Sequence, residues 1–552
     1  MGLAMFWMAV LGCCLLWSAA WTAVAARVPA FRRLLALCGW LVPALVLLPA
    51  VAVTAALAFG PRLPTNAFAA TLTLWIAAVV GGVWIVIAGL TADPDGQPVA
   101  RRWPAIGLAG LCLIAGMVAC GTLLAVDNAI QAEARQWRVE AAALMQANLP
   151  PAVSEADNAA TLHHQVTGLL AADPALTAAD TPLGDPSGDA RAPAAMAMLD
   201  RHAETLDIIR RAADRDVCRF DRDWSRPSID MLLPEMQQLR TEARLLAAAA
   251  RRAAAEGRGA EALADTIRIH RLARQITSEP ILITHLVSLA IDALARDTLA
   301  RVLPSLEPED LPLLDDPGLE GLCSPPPPLL KTLLGEETLG LSVFSDLSTG
   351  RLGLEQIGAA GVEPGGWGWI WDRGALLLRS IFLPSTMARY RTIMHHVQQF
   401  AASHPVPSRS DVTRLHDATT NMVQNDPLVG MLQPAFQQVF DAQIRAAAGS
   451  RAAAVLVAAT RRRLADGGLP ESLESLVPAR LPAVPTDPFT ENAPLQFKPV
   501  EGGFVVWSIG PDGEDDGGPP SRTMSDTRAG NDDVGLWLVP DGVAEAPAGS
   551  IN

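Results

Sequence analysis

Four apolar runs dominate the first 126 residues, at 3–26, 34–59, 68–90 and 105–126, and none of them contains an Asp, Glu, Lys, Arg or His. A helix needs about 20 such residues to cross a hydrocarbon core of about 30 Å, so each run predicts a membrane span. The first is too long for the apolar part of a signal peptide, and Met1 to Met5 offers no basic residue ahead of it. It therefore reads as a retained span. Pro43 and Pro49 in the second run predict a kink satisfied by neighbouring helices. Gly81, Gly82, Gly110 and Gly116 would let the helices approach closely. No ionisable group lies inside the runs, so the bundle predicts an anchor rather than a transport pathway.

Charge is distributed with equal asymmetry. The chain has 43 basic and 58 acidic side chains, of which residues 1–126 hold six Arg and two Asp. The rest is therefore a strongly acidic body, large enough for two or three domains. Such a body repels polyanions, which excludes nucleic acid as a partner. Arg27, Arg32 and Arg33 follow the first run and Arg101 and Arg102 precede the fourth, whereas the intervening connection holds only Arg62. The positive-inside rule places the first and third connections in the cytoplasm. The expected location is a bacterial inner (cytoplasmic) membrane, multi-pass, with the large C-terminal portion outside the cytoplasm and the lipid bilayer as a partner.

Beyond the anchor, residues 127 to about 147 carry helix formers without a breaker before Pro150 and Pro151, which predicts a stalk helix continuing the fourth span. Residues 171–195 are rich in Asp, Ala, Pro, Thr and Gly and read as a surface linker. Helices are predicted near 235–255 and 260–277, broken at Gly257 and Gly259, with a third opening at Pro280. Leu239, Leu245, Leu246, Leu263, Ile267, Ile269, Leu272 and Ile276 form their apolar stripe. One unit here is similar to a tetratricopeptide turn, but without further copies the pattern predicts an antiparallel helical hairpin. Residues 304–330, with Pro325 to Pro328 consecutive, predict an extended connector. Trp367, Trp369 and Trp371, beside an apolar stretch, fit either the core of the body or a segment dipping into the outer leaflet. The domain boundaries expected are 1–126, 127–433 and 434–552.

Chemistry-bearing residues are sparse in pattern. Cys218 and Cys323 are the two cysteines outside the apolar runs, and either one disulfide or two separate thiols fits them. The nine histidines make no zinc-binding spacing, and no HExxH, GxSxG, P-loop or GxGxxG occurs. No catalytic residue is assigned on these grounds. A rival reading, a membrane-tethered hydrolase or solute-binding protein, requires a pocket between helical body and C-terminal sheet. Two or more of His270, His285, His395 and His416 would have to converge there with carboxylates.

The C-terminal portion is richer. A helix is predicted over about 434–466, stopped by Gly467 and Gly468, then strands over 494–499, 503–509 and 534–539. Between the last two strands lie Asp512, Glu514, Asp515, Asp516, Asp526, Asn531, Asp532 and Asp533. Carboxylates at this density suit Ca²⁺, which takes six to eight oxygens from irregular loops.

Asp487-Pro488-Phe489, the segment Val505 to Gly518 and the segment Asn531 to Trp537 together resemble the C-terminal part of the major pseudopilin of type II secretion systems. The resemblance covers roughly the last 100 residues. It implies a helix, a small antiparallel sheet and a calcium loop. It assigns the metal to Asp512, Asp532 and Asp533, with Ser508 and Gly510 supplying backbone carbonyls. The basic leader and single apolar helix of that family are missing, so processing into a filament subunit is not implied. The chain as a whole is similar to large uncharacterised bacterial envelope proteins, which implies architecture and no activity.

The expected fold class is thus a membrane protein with four transmembrane helices, a mainly α extracytoplasmic domain and a small C-terminal α+β, pseudopilin-like module. The expected function is structural or adaptor-like, in secretion or envelope assembly, with envelope or secretion proteins as partners and Ca²⁺ as cofactor.

Overall fold

A computed structural model describes residues 132–149, 152–171, 173, 193–224, 233–348, 352, 368–423, 436–490, 492–519 and 531–540, with backbone alone over 368–385. The chain divides into two units. The larger comprises Trp137–Phe344, Ile357–Ala359 and Pro384–Asn552 and carries the main hydrophobic core and the C-terminal sheet. In the smaller, the described residues are 132–136, 345–348, 352 and 368–383, where Ser345 Oγ donates to the Ala134 carbonyl over 2.8 Å.

The described residues are mostly helical, parts of the first, ninth and tenth helices belonging to the smaller unit. The helices are α1 (132–148), α2 (Ala159–Ala171), α3 (Pro193–Arg201), α4 (Ala203–Ala213), α5 (Pro234–Ala255), α6 (Gly259–Ile276), α7 (Leu282–Val302), α8 (Pro317–Cys323), α9 (Leu330–Ser348), α10 (Gly368–Ser403), α11 (Arg409–Val423) and α12 (Phe436–Asp466). Strands β1 (Gln496–Val500), β2 (Gly503–Ser508) and β3 (Val534–Leu538) form an antiparallel sheet with β2 central.

The α5–α6 hairpin forms where the sequence predicts it. Pro234 opens α5, where its missing N–H costs nothing. Gly257 at φ +75° closes it in the left-handed conformation that favours glycine. Leu239, Leu245, Leu246, Ala247, Ala250 and Ala253 are buried along α5, which packs against α6. Helix α7 then lies against both, and α12 lies against α7 and the inner face of the sheet. One core therefore runs from α2–α4 through α5–α7 to Val455, Leu456 and Ala459 of α12 and on to Phe504, Val506, Leu536 and Leu538. Arginines lock the end of α12. Arg463 Nη2 donates to the carbonyls of Leu303 and Leu306, and Arg461 Nη2 to that of Leu314, so orphan carbonyls beyond α7 are satisfied.

The expected fold class is corrected. Among the described residues no helix is long and apolar enough to cross a membrane. The two longest, α10 and α12, are interrupted by charge: Asp372, Arg373, Arg379, Arg389 and Arg391 in the first, and Asp441, Arg445, Arg451, Arg461, Arg462, Arg463 and Asp466 in the second. The described fold is mainly helical with a three-stranded sheet. The segments 3–26, 34–59, 68–90 and 105–126 lie outside the described residues, as does most of the linker at 171–195.

Two smaller expectations also change. Residues 304–330 are not one extended connector: ahead of the helix-free stretch 325–328 the chain winds into two 3₁₀ segments and α8. Pro308 and Pro317 each sit at a helix start, and Asp316 accepts the Gly318 N–H over 2.7 Å as an N-cap, so these prolines initiate turns instead of preventing them. The tryptophan-rich stretch leads into α10, with the side chains of Trp367, Trp369 and Trp371 outside the described residues. Cys218 and Cys323 are separate free thiols.

A candidate acidic-loop site beside the C-terminal sheet

All six residues of β2 avoid full exposure and five are buried, because α12 covers one face and the segment after Ser508 folds back over the other. Trp507 holds that segment through two contacts. Trp507 Nε1 donates to Asp515 Oδ1 over 3.0 Å, and Gly518 lies against the indole, with φ +113°. The Gly517 N–H also reaches Asp515 Oδ1, over 3.0 Å.

Beneath the loop lies Asp487, almost completely buried. Its Oδ1 accepts the Ser508 hydroxyl over 2.6 Å and the Phe489 N–H over 2.9 Å, and its Oδ2 accepts the Ile509 N–H over 2.9 Å. The end of β2 is thus tied to the segment that precedes the sheet. The sequence marks Asp487 only as part of the Asp-Pro-Phe triplet and gives it no site role. An acid before proline is ordinary turn chemistry, and nothing in the spacing distinguishes this one.

The expected calcium residues divide in two. Ser508, Gly510, Asp532 and Asp533 come together: Ser508 pairs with Val534 across β2 and β3, and the backbone of Gly510, at φ +71°, passes so close to Asp532 that an added Cβ would fall 2.1 Å from the Asp532 carbonyl oxygen. Asp512 stands apart and exposed, its Oδ1 accepting the Glu514 N–H of its own turn over 3.1 Å. Asp532 is drawn outward, 3.8 Å from Arg445. Asp533 turns inward. Its Oδ2 accepts the Gly518 N–H over 2.8 Å, while its buried Oδ1 has no hydrogen-bond partner among the described residues. Burial, with the charges of Asp515 and Asp516 adding to it, pushes the Asp533 carboxyl up to about 7. Asp516 in turn accepts the Asp532 N–H over 3.3 Å. Among the described residues no three His, Cys, Asp or Glu side chains are placed as a metal-binding group; Asp526 lies outside them.

The histidines named for the rival reading do not converge. His270 Nδ1 lies 2.7 Å from Asp292 Oδ1, and His285 Nε2 lies 2.9 Å from Gln443 Oε1. His395 and His416 sit on exposed faces of α10 and α11, touching only Gln399 and Thr420 of their own helices. The best-engaged histidine is one the sequence does not single out. His163 is wholly buried, with Nδ1 2.8 Å from Glu242 Oε2 and Nε2 3.3 Å from Gln275 Oε1. Burial pulls its pKa down, but Glu242 and Cys218 outweigh burial and hold it well above the ordinary value. That cluster joins α2, α5 and α6 and points to internal cross-linking.

No family model, curated protein or solved structure matches the chain.

Proposed function

We propose that this chain is a structural or adaptor protein whose helical body presents the helix α12 and its sheet as an interaction module, with the acidic loop taking one Ca²⁺. Envelope or secretion proteins are its proposed partners. The proposed setting is extracytoplasmic, where Ca²⁺ sites with dissociation constants of about 10⁻⁴–10⁻³ M are filled. The observation that carries the reading is Asp533: a buried carboxylate oxygen without a donor, beside two further carboxylates, is costly unless a cation or a proton compensates it. Four of the five residues assigned by the pseudopilin resemblance gather at this spot. In the proposal Asp533 supplies the buried oxygen, Asp515 and Asp516 the neighbouring negative charge, and Ca²⁺ the compensation that closes the loop over β2.

Differential scanning calorimetry of the full chain with Ca²⁺ and with chelator tests this. The melting temperature is expected to rise with Ca²⁺ in the native chain and to lose that response in Asp533→Asn. Identical melting curves with and without Ca²⁺ remove the metal from the proposal and leave Asp533 as a buried protonated acid.

A further inference from the structure

Buried charge is out of balance at one place in the helical body, where α6, α7 and α8 meet. Arg296 is wholly buried. Its Nε donates to the Leu322 carbonyl over 3.2 Å and its Nη2 lies 3.4 Å from Asp292 Oδ2, but Nη1 has no partner among the described residues. Asp292, also wholly buried, is shared, since its Oδ1 faces His270 Nδ1 at 2.7 Å. On the other side of that ring Arg274 Nε donates to His270 Nε2 over 3.4 Å, so the ring hydrogen lies on Nδ1, toward Asp292. Among the described residues the Arg274 guanidinium reaches only the His270 ring. Arg296 and His270 therefore share the Asp292 carboxylate, and Arg274 has none within ion-pair distance among the described residues. The imbalance is felt by neighbours: burial and then Arg274 push the His285 pKa down, and burial and Arg296 hold the Arg274 guanidinium below its ordinary value despite Asp292.

We propose that this cluster is a binding site for a small oxyanion, a carboxylate or phosphoryl group held by Arg274 and the free Nη1 of Arg296. A buried donor left without an acceptor, here Nη1 of Arg296, is costly, and a planar fork of N–H donors matches the oxygens of these anions. Arg274 is only half-buried, so the cluster touches solvent at this residue. The ligand must be small. Helix α8 closes over His270 so tightly that a Cβ on Gly321 would come within 2.6 Å of His270 Nε2.

Thermal melting of the full chain in phosphate, in acetate and in chloride at equal ionic strength tests the site. A saturable rise in melting temperature in phosphate or acetate, absent in chloride and lost in Arg274→Gln, is the expected result. Whichever anion acts identifies the group. Arg274→Gln is chosen because the side chain is half-exposed, so the variant keeps the fold; Arg274→Lys should retain a weakened response. Cys323, adjacent to the Leu322 carbonyl that Arg296 holds, gives a second reading. Burial raises its thiol to about 11, against the pull of Arg296 and Arg461. A bound anion should slow its alkylation, followed by mass spectrometry, in the native chain and not in Arg274→Gln. No rise with either oxyanion overturns the proposal. So does a rise that is equal in native and Arg274→Gln chains, which would be the general exclusion effect of such salts.

Discussion

Asp487→Ala should loosen the C-terminal sheet more than any other single polar change there, and the cost can be worked from its contacts. The carboxylate accepts three hydrogen bonds, from Ser508 Oγ and the N–H groups of Phe489 and Ile509. Hydrogen bonds to a charged group contribute about 1.5–3 kcal/mol each, and removing the shared acceptor strands three donors at once, so about 3–6 kcal/mol is expected, allowing for water entering the gap. Asp487→Asn keeps one oxygen and turns an amide toward the Ile509 N–H or the Ser508 hydroxyl, which should cost about 1.5–3 kcal/mol. Ser508→Ala removes one donor and leaves the carboxylate two partners, for about 1 kcal/mol. A chain of several units need not unfold in one step, so the assay must be local. Hydrogen exchange followed by mass spectrometry on peptides covering 495–510 reports the opening of β1 and β2 directly. At about 1.4 kcal/mol per tenfold, protection should fall roughly 10²–10⁴-fold in Asp487→Ala, in the order Ala, Asn, Ser508→Ala. Protection within threefold of the native chain in Asp487→Ala would refute the claim that this carboxylate ties β2 to the preceding segment.

Two further outcomes follow from the same region. Without Ca²⁺, stability should fall as pH rises from about 4 through about 7, because the folded state raises the Asp533 pKa from 3.8 to about 7 and so favours the protonated acid; urea titrations at a series of pH values should show this fall vanishing in Asp533→Asn. Gly510→Ala should expose the acidic loop to limited proteolysis while leaving the α5–α6 hairpin protected, since it places a Cβ 2.1 Å from the Asp532 carbonyl oxygen in a left-handed backbone, at a cost of about 1–3 kcal/mol or more.

Local signals in the chain were read well where one physical term dominates. Gly257 breaks a helical period and the structure turns there; Gly467 and Gly468 stop α12 at Asp466. The three strands fall within about two residues of the expected ranges and pair into an antiparallel sheet. Prolines misled at 304–330, because a proline read as a helix breaker is equally a helix opener, and only the Asp316 cap at Gly318 decides between the two. The acidic loop shows the harder limit. Composition places carboxylates between β2 and β3, but nothing in the sequence says that Asp533 turns inward, that Asp532 turns to Arg445, or that Asp512 serves its own turn.

The helical body hides its polar chemistry for a related reason. His163, Glu242 and Gln275 come from three helices, 79 and 112 residues from the histidine, and each looks like an ordinary polar residue in its own period. Arg296 sits in α7 at a position the 3.6-residue pattern assigns to the core, which sequence reasoning discounts as an error of period when the residue is charged. The structure keeps it there by giving two of its nitrogens acceptors, Leu322 and Asp292, and leaves the third without one. A charge retained at full burial with one donor unspent is a stronger pointer to a ligand than any surface cluster, because water already solvates the surface cluster and nothing in the described protein satisfies this one.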